Sequence, residues 1–266
     1  MIIHKFSGAG NDFVVLDGRV GDCSIYRHAD LVGALCREYS TDGLMILTED
    51  APGVDFTMEF YNPDGSGGMM CGNGGRCITA FAEWLGIIPY EENKYTFMAP
   101  DGIHTGEILS RDGLGKWSVR IRMIAVDGVT AYDGGDCFLN TGTRHLVRFT
   151  DDVEAVDMKK EAEPLRWDAR FAPEGTNVNF VSVMPDGLHV RTFEKGVEGE
   201  TLACGTGITA SAIAAFHRGI PPAEDHGGRV RYDLRARTAW LSVDFLPAGP
   251  EAFRDIHLTG PAEMLF

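Results

Sequence analysis

The 266-residue chain carries 24 lysines and arginines against 39 aspartates and glutamates, a formal net charge of −15, with 44% hydrophobic and 24% charged residues. That balance is that of a folded globular protein rather than a disordered one, and an acidic field of this size argues against nucleic acid or an anionic membrane surface as partner. No apolar run approaches the ~18 residues needed to span a bilayer, and the stretch from Met1 to Gly8 lacks the apolar core of a secretory signal, so a cytoplasmic setting is expected.

Taken in chain order, short alternating or β-rich runs read as strands at 12–16, 44–48, 55–61, 119–123, 145–149, 178–183, 188–193, 229–234, 240–245 and 255–258. Helical apolar spacing is found at 28–39, 75–85 and 208–217, and more thinly at 151–163; the second and third of these follow glycine-rich turns directly. Breaker clusters at Pro89, 111–115, 133–135, Pro221–Pro222 and 247–250, with 33 glycines in all, call for many tight turns. The class is α+β (mixed α/β). With no Gly/Ser linker, two halves are expected to join directly near 115–120.

The most informative pattern is an internal echo. Met70-Cys71-Gly72-Asn73-Gly74-Gly75 runs into one helical segment, and Ala203-Cys204-Gly205-Thr206-Gly207 runs into another half a chain later. A duplicated unit of about 130 residues, each with a strand, a Cys-Gly-x-Gly turn and a helix, explains both likeness and spacing.

A cysteine just before a helix lies where unpaired backbone N–H groups and the helix dipole favour a thiolate. The glycines leave room for a substrate carboxylate to reach the same N–H groups. Each turn is therefore a candidate base beside an anion cradle. Two such turns about a shared cleft place one sulfur on each face of a bound carbon, as inversion of a stereocentre requires: one group takes a proton and the other delivers one. The pair would share a single proton and titrate as a unit. No lysine stands in a setting that suggests a pyridoxal phosphate Schiff base, and Cys71-x5-Cys77 with a distant Cys204 does not match common zinc spacings. Neither cofactor nor metal is expected. The six cysteines, at 23, 36, 71, 77, 137 and 204, are read as free thiols of a reducing compartment.

At Lys5-Phe-Ser-Gly-Ala-Gly-Asn-Asp-Phe13, Tyr61-Asn-Pro-Asp-Gly-Ser66, Met70-Cys-Gly-Asn-Gly-Gly-Arg-Cys77, Glu200-Thr-Leu-Ala-Cys-Gly-Thr-Gly207 and Leu258-Thr-Gly-Pro-Ala262 the chain resembles the diaminopimelate epimerase family, with the motifs in family order. The resemblance implies two pseudo-symmetric domains, each a strand-rich barrel-like sheet around a central helix, with the active site in the cleft between them. On that pattern residues 1–118, completed by 256–266, form one domain and 119–255 the other. It also implies an isomerase, usually a homodimer, that interconverts LL- and meso-diaminopimelate for lysine and peptidoglycan synthesis without cofactor or metal.

Carried over by position, Cys71 and Cys204 are the acid/base pair, and Gly72, Asn73, Gly205 and Thr206 hold a substrate carboxylate. Asn11, Asn62 and Asn177 resemble residues that fix the substrate's polar ends; Glu194 resembles one that takes the amine and influences thiol ionisation, and His145 a second modulator of the cysteines. Lys195 stands where the family commonly has arginine, and lysine cannot make arginine's bidentate fork. Thr143-Arg144-His145 replaces a turn that usually contains proline, and Gly43 replaces a glutamine of some members. Proline or hydroxyproline racemases, which share the two-cysteine logic, are the nearest enzymatic alternative; a non-catalytic binding protein on the same fold is the alternative from another class.

Overall fold

A computed structural model describes residues 1–49 and 51–266. They form two compact units, Met1–Arg122 with Thr259–Phe266, and Met123–Leu258.

In the first unit, strands β1 (His4–Gly8), β2 (Asn11–Asp17), β3 (Gly43–Thr48), β4 (Phe56–Tyr61), β5 (Lys94–Ala99), β6 (Gly102–Arg111) and β7 (Lys116–Arg122) pair in chain order. Residues 259–264 of the last strand close the ring by pairing with both β7 and β1, giving an eight-stranded barrel. Only β2–β3 and β4–β5 are parallel, and a parallel pair needs a crossover. Helix α1 (Ala29–Tyr39) makes the first, packing Val32, Leu35 and Cys36 on Leu44 and Ile46.

Helix α2 (Gly72–Trp84) makes the second crossover and packs against β1, β2, β3, β6 and β7, with its residues from Gly72 to Ala82 buried. Burial on all sides is the signature of a helix threaded through a core. Strand β3 has helices α1 and α2 packed against it and is buried at every position, whereas β4, β5 and β7 alternate. Two glycines set the clearance: a Cβ on Gly8 would lie 2.7 Å from the Asn73 carbonyl oxygen, and one on Gly106 2.2 Å from Thr79 Oγ1.

The second unit repeats this plan. It holds β8 (Val126–Asp127), β9 (Thr130–Ala131), β10 (Cys137–Asn140), β11 (Arg144–Phe149), α3 (Glu163–Arg166), β12 (Asn177–Met184), β13 (Gly187–Glu194), β14 (Gly199–Thr201), α4 (Gly205–His217), β15 (Glu224–His226), β16 (Arg229–Arg235), β17 (Trp240–Pro247) and the first half of β18 (Ala252–Met264). Its parallel pairs are β11–β12, across α3, and β13–β16, across α4. Helix α4 packs against β10, β11, β12, β13, β16 and β17, so a barrel-like sheet again surrounds a buried, cysteine-capped helix.

Several boundaries differ from those read in the sequence. Helices α2 and α4 begin at Gly72 and Gly205, so the glycines form the first helical turn rather than precede it. The helix expected over 151–163 begins only at Met158 and runs to Arg166, after Asp157 caps Lys160 N–H at 3.1 Å. Upstream, the Val153 N–H is taken by Ser182 Oγ at 2.8 Å, and the Val153 and Val156 carbonyls accept from Arg191 at 2.7 and 3.0 Å, which commits this backbone to tertiary partners.

Candidate active site

In the first unit Cys71 is the N-cap of α2, in extended conformation (φ −108°, ψ 152°). Its Sγ accepts the Gly74 N–H at 3.2 Å and its carbonyl accepts the Gly75 N–H at 2.8 Å. Sulfur thus replaces the usual cap oxygen at the positive end of a thirteen-residue helix. Cys71 is exposed.

Behind it runs a polar chain. Asn73 Nδ2 donates to Asn11 Oδ1, and Asn11 Nδ2 donates to Asp42 at 3.2 Å. Asn73 Oδ1 accepts from Arg76 Nη2 at 2.8 Å. Arg76 is fully buried, with Nη1 on the Gly72 carbonyl and Nε on the Pro261 carbonyl, both at 3.2 Å. Burial lowers its pKa to about 10, which still leaves it charged at neutral pH. Burial raises the Cys77 thiol well above its ordinary range, so Cys77 stays protonated.

In the second unit Cys204 is the N-cap of α4 (φ −111°, ψ 107°), and its Sγ lies 3.4 Å from Thr206 Oγ1. Thr206 Oγ1 is 2.9 Å from His145 Nε2, which also meets Thr143 Oγ1 at 2.9 Å. The tautomer follows from the far side of the ring. Asn179 Nδ2 donates to the Leu146 carbonyl at 3.0 Å and to His145 Nδ1 at 3.1 Å, while Asn179 Oδ1 accepts from Thr192. Nδ1 is therefore the acceptor and Nε2 bears the hydrogen. Fully buried, His145 has a pKa lowered by desolvation to about 3 and is neutral. A Cβ on Gly207 would sit 2.4 Å from Asn179 Oδ1, so only glycine seats α4 on this cluster.

Among the other expected site residues, hydrogen bonds tie Asn11 to the first of these centres and Asn177 to the second. Asn177 donates to Thr143 Oγ1 and to the Arg144 carbonyl, and accepts the Lys195 N–H at 2.8 Å. Glu194 accepts from Thr201 Oγ1 at 2.9 Å. Lys195 is exposed at the end of β13. Asn62 bonds within its own turn, to Ser66 Oγ at 3.0 Å. Arg144 turns to the Phe171 carbonyl and Glu174, and Gly43 packs tightly on Phe60 and Tyr61. Residue-by-residue reading assigned no role to Arg76, Asn179 or Thr192. A lone arginine in the run Gly-Gly-Arg-Cys-Ile-Thr-Ala-Phe and an asparagine inside Val-Asn-Phe-Val were the available signals. Among the described residues no cluster of three or more His, Cys, Asp or Glu could hold a metal ion, and no helix is long and apolar enough to cross a membrane.

The fold is a duplicated α+β one in which each repeat threads one helix through its sheet, each such helix capped by a cysteine over glycine-spaced N–H groups, and the chain is an isomerase. The chain belongs to the diaminopimelate epimerase family. That family's profile matches residues 137–234. The chain is 38% identical to the diaminopimelate epimerase of Flavobacterium psychrophilum over 100% of this chain and 98% of that one, and 37% identical to that of Chlorobaculum tepidum over 98% and 97%. Among solved structures, a phenazine biosynthesis protein of Bacillus anthracis is similar with a TM-score of 0.75 at 12% identity, covering 99% and 96% of the two chains. A hydroxyproline epimerase from Agrobacterium vitis, with bound trans-4-hydroxy-L-proline, gives 0.60 at 17%, covering 99% and 92%. At these identities the likeness is one of fold.

Proposed function

We propose that the protein interconverts LL- and meso-diaminopimelate by two-base proton transfer between Cys71 and Cys204, as a cytoplasmic homodimer supplying lysine and peptidoglycan synthesis. The observation that carries this reading is the matched N-cap cysteine of α2 and α4. The chemistry requires the two sulfurs to meet one α-carbon from opposite faces. One thiolate removes the α-proton and becomes a thiol; the opposing thiol delivers its own proton and becomes a thiolate, so product leaves the pair with charges exchanged. In this reading the first-turn N–H groups at Gly72, Asn73, Gly205 and Thr206 take the carboxylate and stabilise charge that spreads from the carbanion, as unpaired N–H groups at a helix start favour an anion. Asn11, Asn62 and Asn177 orient the polar ends, Glu194 receives the amine, and Lys195 supplies a point charge in place of the usual fork. Through Thr206, His145 presents a hydrogen-bond donor toward Cys204 rather than a titrating base.

Incubation in deuterated water with LL-diaminopimelate and, separately, L-proline decides between epimerase types. Deuterium is expected at the α-carbon of diaminopimelate only; exchange with proline alone would make the protein a proline-type racemase, and exchange with neither would remove the epimerase reading. Sedimentation of the purified chain tests the dimer, and a monomer at micromolar concentration would refute it.

A further inference from the structure

The duplicated helix starts share the Cys-Gly-x-Gly frame, and of the positions where they differ one exchanges a buried charge for a neutral side chain. Five residues after Cys71 stands Arg76; five after Cys204 stands Thr209. Both reach back to the first glycine of their helix: Arg76 Nη1 to the Gly72 carbonyl at 3.2 Å, and Thr209 Oγ1 to the Gly205 carbonyl at 2.9 Å. Both are fully buried. The repeats therefore share a hydrogen bond and differ by one whole positive charge.

Resting on the two-thiol reading above, we propose that Arg76 is a positioning residue that orients Asn73 and supplies the buried cation making Cys71 the thiolate, and Cys204 the thiol, of the resting enzyme. The groups that accept its hydrogen bonds, the Gly72 and Pro261 carbonyls and Asn73 Oδ1, are all neutral, so these bonds do not cancel the guanidinium charge. A cation in a dry setting acts on a nearby anion with far less screening than one at the surface. Because Asn73 Oδ1 is held by Arg76, its Nδ2 is forced toward Asn11, which fixes the amide in one orientation.

Among the described residues, the other charged groups around this turn are paired or hydrogen-bonded. Cys77 on the same helix stays protonated; Lys5 on β1 is neutralised by Asp12 on β2 at 2.8 Å; Asp42, before β3, accepts from Asn11; Arg120 on β7 pairs with Glu107 on β6 at 3.5 Å; and Asp101, which accepts the Met70 N–H at 3.1 Å, pairs with His104 at 3.2 Å. In the second unit the group behind Thr206 is His145, which burial keeps neutral.

The test is alkylation of the full-length enzyme without substrate by iodoacetamide across pH, with each cysteine peptide quantified by mass spectrometry. Midpoints are compared rather than rates, since Cys71 is exposed and Cys204 buried. The wild type is expected to show the lower midpoint at Cys71. Arg76→Met should raise it by one unit or more, a tenfold or larger fall in thiolate at pH values well below the wild-type midpoint, and Arg76→Lys should restore part of the shift. Circular dichroism confirms that each variant is folded. A lower midpoint at Cys204 in the wild type overturns the proposal without needing any variant, as does a folded Arg76→Met with the Cys71 midpoint unmoved. Loss of α-proton exchange by the wild type would instead sink the two-thiol reading.

Discussion

His145 offers a stability test with a defined sign. Its ring is fully buried, and desolvation lowers its pKa to about 3 from an ordinary value of 6.5. The folded state therefore resists a proton that the unfolded chain accepts, so its contribution is complete above pH 6.5 and is lost progressively as pH falls toward 3. Between pH 8 and pH 5 that loss amounts to about 2 kcal/mol for this one group. Carboxylates also change stability over this range, so the measurement is a double difference. Urea unfolding of the wild type and of His145→Gln is followed by circular dichroism at both pH values. The variant is less stable at pH 8, because glutamine cannot reproduce the bonds to Thr206, Thr143 and Asn179. Its deficit should shrink by about 2 kcal/mol at pH 5, since it has no imidazole to charge. A deficit that is the same at both pH values would mean that His145 is not held neutral, and the assignment of its Nε2 hydrogen would fall with it.

Other perturbations follow from the same contacts. Cys71→Ala and Cys204→Ala should each abolish epimerisation, measured by circular dichroism of the product mixture, and normal turnover by either would refute the two-base scheme. Gly207→Ala should destabilise by about 2 kcal/mol and depress turnover, because the new methyl meets a side chain fixed at both ends. Arg191→Met strips a bidentate partner from Glu200 and leaves the Val153 and Val156 carbonyls short of donors, a loss of about 3 kcal/mol seen as a lower urea midpoint. Thr206→Val removes the hydroxyl that joins His145 to Cys204, yet leaves His145 its bond to Thr143. It should therefore lower turnover at least tenfold while costing only about 1 kcal/mol of stability.

Much of the frame can be read from residues alone because it rests on local patterns. The alternating runs became strands, and the two Cys-Gly turns became helix starts. The starts were placed three residues late because glycine is a poor helix former in isolation. Here the first turns of both helices are largely buried, and tertiary packing overrides propensity. The helix over 151–163 began late for a similar reason: Ser182 and Arg191, far along the chain, claim the backbone that it would have used. Asn62, for which the resemblance implies a substrate contact, hydrogen-bonds to Ser66 and Gly67 of its own turn. The setting of Arg76 was the least legible, since one of its acceptors, Pro261, lies near the other end of the chain.

The central claim is that two opposed thiols, rather than one base, move the proton. Stopped-time analysis of LL-diaminopimelate turnover in deuterated water tests it most directly. The two-thiol account predicts that the first meso product carries deuterium at the inverted carbon while the remaining LL substrate is still protiated. Deuterium entering the LL pool as fast as the meso product would show one base serving both faces, and would contradict it.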